Sequence, residues 1–341
     1  MILRELSEAH GVSGDEGDIR SIVLDAVRDH VDEIEVDALG NLLTVKRGSG
    51  QVSLHVMLAA HMDEVGLMVV DHDDQGLLKV RAVGGIDARL LPGTVLVVGP
   101  ERIPGVIGVK PIHLVESSDM EKVSRIEDLA VDIGAKGKDE AKELAPLGTY
   151  ATFATRYREL GPTVTGKAFD DRAGCAVLVD LLQGERLAFD LHAVFTVQEE
   201  VGLRGAQVAA VAVDPDCAFV LEGTIADDIP KEKDVSPTTE LGKGPAITVM
   251  DRSFIADRRL LRLLTSTAGE LDIPYQFKQP GIGGTDAGAI HLAREGVPSA
   301  TVAVPSRYIH SPVALLNLQD FDNTVHLMRE SLSRLTRDTL A

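Results

Sequence analysis

Met57-Leu58-Ala59-Ala60-His61-Met62-Asp63 decides the reading of this 341-residue chain. Val52–Ala60 is apolar except at Ser53 and His55, the texture of a strand covered on both faces. It then breaks into His61-Met62-Asp63. Residues i and i+2 of an extended chain share a side, so His61 and Asp63 can face one site together. A carboxylate beside an imidazole fixes the ring's tautomer and raises its basicity, the usual support for a metal-bound histidine. For one such triplet alone, a solvated turn after the strand is the better explanation.

The same pattern recurs along the chain. Val194-Phe195-Thr196-Val197 runs into Glu199-Glu200, and Phe219-Val220-Leu221 runs into Glu222. Ala300–Val304 leads to a loop that carries His310. Neighbouring strand residues point to opposite faces, so Glu199 and Glu200 share a site only if the chain bends, which Gly202 and Gly205 would permit. One of the pair could then bind metal while the other acts as a general base. Asp170-Asp171 precedes a helix in Gly166–Gly174; either aspartate could be an N-cap, or the pair could bridge or support metal ions. Thr285 or Asp286 has the same capping role open to it before Ala287–Arg294. In open α/β sheets ligands bind beyond the carboxyl ends of the strands, where these groups would gather.

The surrounding pattern sets the architecture. Ile19, Ile22, Val23, Ala26 and Val27 form one helical face, and Ile34–Val36 and Leu42–Val45 read as short strands. From about residue 70 to 160 the texture changes to short β-branched segments, Leu77–Val83, Thr94–Val98 and Val106–Val109. Gly84-Gly85, Pro92-Gly93 and Pro104-Gly105 separate them as turns. Strand–helix alternation then returns: helices at Arg172–Leu182 and Ala256–Leu271, strands at Leu191–Gln198 and Ala218–Leu221. A last helix carries Phe321, Val325, Met328, Leu332 and Leu335 on one stripe. The expectation is an α/β domain interrupted by a β-rich insert, with a charged surface loop at Asp227–Glu240.

Composition excludes several classes. The chain has 53 acidic residues against 34 Lys plus Arg, a formal charge of −19, and no basic run long enough to bind nucleic acid or an anionic membrane. No apolar stretch reaches the roughly 20 residues of a membrane span. Cys175 and Cys217 are too few for a disulfide framework and read as core thiols. A cytoplasmic protein with reduced cysteines is the default expectation. HExxH, G-x-S-x-G and a phosphate-binding glycine loop in a βαβ context are all missing.

Six motifs in order resemble the M42 aminopeptidases: AAHMDEVG at 59–66, GVIGVKPIHL at 105–114, GKAFDDRAG at 166–174, VQEEVGLRGA at 197–206, GGTDAG at 283–288 and RYIHSP at 307–312. The resemblance spans nearly the whole chain. It implies a mixed-sheet, phosphorylase/hydrolase-like catalytic domain with helices on both faces, made of residues 1–69 and 160–341. Residues 70–159 would be an inserted small β-barrel-like dimerisation domain, with dimers assembling into a twelve-subunit shell. It also implies two divalent ions, zinc or cobalt. Asp170 would bridge them, His61 and Glu222 would complete one, and Glu200 and His310 the other. Asp63 would orient His61. Glu199 would be the general base for metal-assisted hydrolysis of the N-terminal residue from peptides with a free α-amine, a water bridging the ions being the nucleophile. Glu222 departs from the family, which commonly has Asp there, and Asp171 lies where relatives often carry Asn. A metal-dependent deacylase of N-acyl substrates and a non-catalytic metal-binding scaffold are the competing readings. Arg252, Lys278 and Arg307 are the cations that could set a preference for an acidic first residue.

Overall fold

The computed structural model describes residues 2–115, 124–230 and 237–341. The middle of the loop expected at 227–240 and a short stretch of the insert lie outside them. The larger part is an eleven-stranded mixed sheet. Its centre is four parallel strands in the spatial order Asp190–Thr196, His55–His61, Cys217–Ala226 and Ser299–Arg307. Antiparallel strands continue it on both sides, including Leu42–Lys46 next to Asp190–Thr196 and Ala314–Asn317 next to Ser299–Arg307.

The central strands are apolar throughout because both their faces are covered. Val56, Leu58, Ala60, Phe219 and Leu221 pack into a core shared with the helices Phe169–Gln183 and Leu318–Arg334. Met57, Ala59, Ala218 and Val220 point the opposite way, onto the helices Arg204–Val213 and Ala287–Ile290. Successive residues thus serve opposite cores, the mark of a parallel sheet between helical layers. The alanine-rich Arg204–Val213 helix was absent from the sequence reading, which took these residues only as the sequel to a turn. Among the described residues, no helix is long and apolar enough to cross a membrane.

Register opens the sheet where the polar residues lie. His55–His61 pairs with Cys217–Ala226 only from Val56↔Cys217 to Ala59↔Val220. Beyond that the two strands part, leaving His61 and Glu222 on either side of a gap. The strand expected to stop at Leu221 in fact continues to Ala226, so Glu222 is a mid-strand residue bared by this splay. On the other flank His61 is level with Thr196, and the Glu199-Glu200 turn follows.

Six further strands close into a barrel that runs from Gly66 to Phe153, around a separate core that includes Leu67, Val80, Leu96, Ile107, Val131 and Phe153. Pro104 and Gly105, expected as a turn, lie inside the strand Ile103–Ile107. The strand tolerates proline because only one neighbour pairs at that level: Pro104 faces Val97, whereas the second neighbour begins at Val106.

A buried ion triad fastens the N-terminal segment to this frame. Lys167 Nζ donates to both Glu64 carboxylate oxygens at 2.6 and 2.8 Å and to the Ala9 carbonyl at 2.7 Å. Arg172, fully buried, donates to Glu64 at 3.2 Å and to the carbonyls of Leu6 and Gly11. Removing one member strands the others without compensation in a dry interior. Glu64→Gln should therefore lower unfolding stability by about 3–5 kcal/mol, measured by urea denaturation; a change near zero would show that the triad is solvated.

Candidate metal centre

The cluster is built on one imidazole. His61 Nε2 lies 3.1 Å from Asp170 Oδ1, 3.2 Å from Glu222 Oε1 and 3.9 Å from Glu199 Oε2. The other Asp170 oxygen, Oδ2, lies 3.4 Å from His310 Nε2, which is itself 3.7 Å from Glu200 Oε1. Two groups are compact enough to hold an ion: His61 with Glu199 and Glu222, and His61 with Asp170 and Glu200. All seven site residues named from the sequence meet in one crevice.

Each is placed by a distinct local device. Asp63 is fully buried, and its carboxylate accepts from Ser13 Oγ at 2.6 Å and from the backbone N–H groups of Glu199 at 2.9 Å and Glu200 at 3.1 Å. Its Oδ1 is 3.5 Å from His61 Nδ1, and its carbonyl oxygen is nearer that nitrogen, at 3.1 Å. The paired glutamates reach one site because the strand ends at Thr196 and Gln198 turns with φ +57°. The bend thus precedes Gly202 and Gly205, the residues expected to make it. Glu16 holds that turn by accepting from the N–H of Gln198 at 3.2 Å and of Gly14 at 2.7 Å. Neither Glu16 nor Ser13 carries a signal in the sequence that marks it for the site.

The Asp170-Asp171 pair divides its labour. Asp171 accepts from Gly174 N–H three residues on, the expected capping bond, and from His61 N–H at 3.1 Å. Asp170 is left to face the two histidines. Asp286 precedes its helix but does not cap it: its Oδ2 accepts from Thr196 Oγ1 at 2.5 Å.

Burial and mutual repulsion shape the electrostatics. Burial, reinforced by the Asp170 charge, raises the Glu200 carboxyl to about 7. Burial raises Glu222 to about 8 and Asp286 to about 6, against the pull of His61. Glu199 also lies well above the ordinary range, burial again leading. Burial would lower His310, but its hydrogen bond to Asp170 and the Glu200 charge bring it to about 10. In Asp170 burial is outweighed by hydrogen bonds from His310 and His61, which hold the carboxyl well below its usual range.

Among the described residues, no lysine or arginine pairs with these carboxylates, and buried Glu222 Oε2 and Asp286 Oδ1 have no hydrogen-bond partner. Orphaned carboxylate oxygens in a low-dielectric site are costly unless a cation engages them. Oxygen donors mixed with imidazole nitrogen therefore fit divalent ions well. Next to the cluster opens a cavity of about 330 Å³, lined by Glu199, Glu222, Thr224, Lys278, Gly283 and Gly284 among others.

Ligation requires ionised carboxylates and neutral imidazoles, whereas here Glu200 and Glu222 hold protons to about 7 and 8 and His310 to about 10. Divalent-ion binding should then release protons, and its affinity should climb as pH rises from about 6 to about 10. Calorimetry in two buffers of different ionisation enthalpy reads this directly; a pH-independent affinity with no proton release would contradict it.

Comparison with known proteins identifies relatives along the whole chain. The family described as M42 glutamyl aminopeptidase matches residues 40–327. The lysyl aminopeptidase of Pyrococcus furiosus is 36% identical over 343 residues, covering 98% of this chain and 96% of the relative. The aminopeptidase of the archaeon Desulfurococcus kamchatkensis superposes with a TM-score of 0.94 at 37% identity, covering 99% and 95% of the two chains. The TET1 peptidase of Pyrococcus horikoshii, described as assembling into a tetrahedron or a large octahedral shell, gives a TM-score of 0.87 at 36% identity, with 98% and 99% covered.

Proposed function

The chain belongs to the M42 glutamyl aminopeptidase family and is an aminopeptidase, and on that footing we propose that it removes the first residue of peptides at a centre of two divalent ions, zinc or cobalt. The observation that carries this reading is the orientation of Asp170, one oxygen toward His61 and the other toward His310. A bridging carboxylate needs that posture. His61 and Glu222 would hold one ion beside it, Glu200 and His310 the other.

Bound divalent ions supply Lewis acidity, for water and for the peptide carbonyl. The remaining work belongs to the chain. Glu199 takes the proton of the attacking water and returns it to the leaving amine, a task helped by burial, which raises this carboxyl well above its ordinary range and makes it a stronger base. Asp63 steadies this base through the Glu199 N–H and turns the His61 ring through its Nδ1 side. The cavity beside the cluster receives the first side chain of the substrate.

The free α-amine distinguishes an aminopeptidase from a deacylase, so amino-acid p-nitroanilides should be cleaved and N-acetylated amino acids left intact. For the barrel we propose contact between copies of this chain, as the P. horikoshii relative assembles. Val95 lies exposed on a barrel strand and Val109, Ile112 and Leu114 on the segment that follows the strand Ile103–Ile107, and a shell of dimers, twelve subunits in all, accommodates such a face.

Glu199→Gln should cut kcat by about 10²–10⁴-fold while bound metal, counted by elemental analysis, stays at the wild-type level. Turnover close to wild type would remove Glu199 from the role of base.

A further inference from the structure

The two histidines of the cluster are oriented from different parts of the chain. His61 finds the partners of its Nδ1 two residues on, in the carbonyl and carboxylate of Asp63. His310 Nδ1 lies instead 2.9 Å from the carbonyl oxygen of Gly85, 225 residues away. Gly85 belongs to the barrel: with Gly84 it makes the turn that follows the barrel strand Leu78–Val83. The barrel thus touches the cluster directly.

A carbonyl oxygen can only accept, so the proton of this bond sits on His310 Nδ1. In the neutral ring that leaves the lone pair on Nε2, the atom that faces Asp170 Oδ2 at 3.4 Å and Glu200 Oε1 at 3.7 Å. The His310 side chain is 38% exposed against 1% for His61, so packing restrains this ring far less. Its loop is left-handed at both Tyr308 and His310, and Ser311 Oγ closes it, 2.6 Å from the Tyr308 and Val313 carbonyls. Thr155, two residues past the barrel strand Tyr150–Phe153, donates to the Pro312 carbonyl at 2.5 Å. The insert therefore braces the loop twice, at the ring through Gly85 and at the backbone through Thr155.

Gly84 is what lets the Gly85 carbonyl come so close. It sits at φ +80°, and a Cβ there would stand 2.8 Å from Val65 Cγ1 and 3.3 Å from Glu200 Cβ. Any side chain at this position would both oppose the left-handed backbone and push the turn off Glu200.

We propose that this barrel turn is a working part of the metal centre: Gly85 is a positioning residue whose carbonyl keeps the His310 proton on Nδ1 and presents Nε2 to the ion shared with Glu200. The insert then does more than meet other copies of the chain, because it sets the affinity of one of the two ions. This rests on the two-ion reading of the site and gives one ion a determinant outside the large sheet.

Gly84→Ala should weaken one zinc by about 10–100-fold, the usual worth of a partner that orients a ligating imidazole, and leave the other within about twofold of wild type. Competition with a chromophoric chelator reads both affinities, and elemental analysis counts the ions. In a His310→Ala background the same substitution should change nothing further, since the two act on one ion. Gly93→Ala is the control. Gly93 lies in another barrel turn at φ +81° with open space where its Cβ would stand, so it strains the barrel similarly and should keep both ions. Should Gly84→Ala not fold, NMR of the ring nitrogens in zinc-loaded, isotope-labelled wild type decides the question, the His310 signals being those lost in His310→Ala. Zinc on Nε2 and a proton on Nδ1 are expected. Zinc on Nδ1, two unweakened ions in Gly84→Ala, or an equal loss in Gly93→Ala overturns the proposal and leaves the two-ion reading standing. A wild-type protein that binds fewer than two ions defeats that reading, and the proposal with it.

Discussion

The carboxylate of Asp63 is the interaction on which the rest of the centre depends. It ties together three stretches of chain: the N-terminal loop through Ser13, the turn after Thr196 through the N–H groups of Glu199 and Glu200, and the end of the strand His55–His61 through the His61 ring. Bonds to an ionised acceptor are the stronger kind, and here they are fully buried. The same contacts that satisfy Asp63 therefore fix where two further acids and one imidazole point. The Glu64–Lys167–Arg172 triad, starting one residue later, holds the carbonyls of Leu6, Ala9 and Gly11 and thereby the loop that delivers Ser13.

A second constraint is charge. Asp170, Glu199, Glu200, Glu222 and Asp286 crowd a small volume, and burial first, with their mutual repulsion second, holds most of their carboxyls above the usual range. The fold supplies two imidazoles to this volume, and among the described residues no lysine or arginine pairs with these acids. The acids are thereby left for cations from outside.

Much of this was legible in the sequence because the physics was local. An apolar strand that stops at a histidine or an acid is visible in His61, Glu199 and Glu200 without any tertiary knowledge, and the change of texture after residue 70 announces the barrel strands. What was not legible depended on pairings distant in the chain. Glu222 reads as a strand terminus, yet it lies mid-strand and reaches the cluster where His55–His61 parts from its neighbour after Ala59. Asp170 and Asp171 are chemically alike in sequence; the bond from the His61 N–H to Asp171 decides which one faces the histidines. Nothing local says that Arg307 is occupied by Asp228, 79 residues away, or that a left-handed Gln198 turns both glutamates inward.

The proposed function requires two cations that share Asp170. The most direct measurement is anomalous X-ray scattering from crystals of the zinc- or cobalt-loaded protein. Two peaks should appear, one bounded by His61, Asp170 and Glu222 and the other by Asp170, Glu200 and His310. A single peak, or ions bound away from Asp170, would contradict the account.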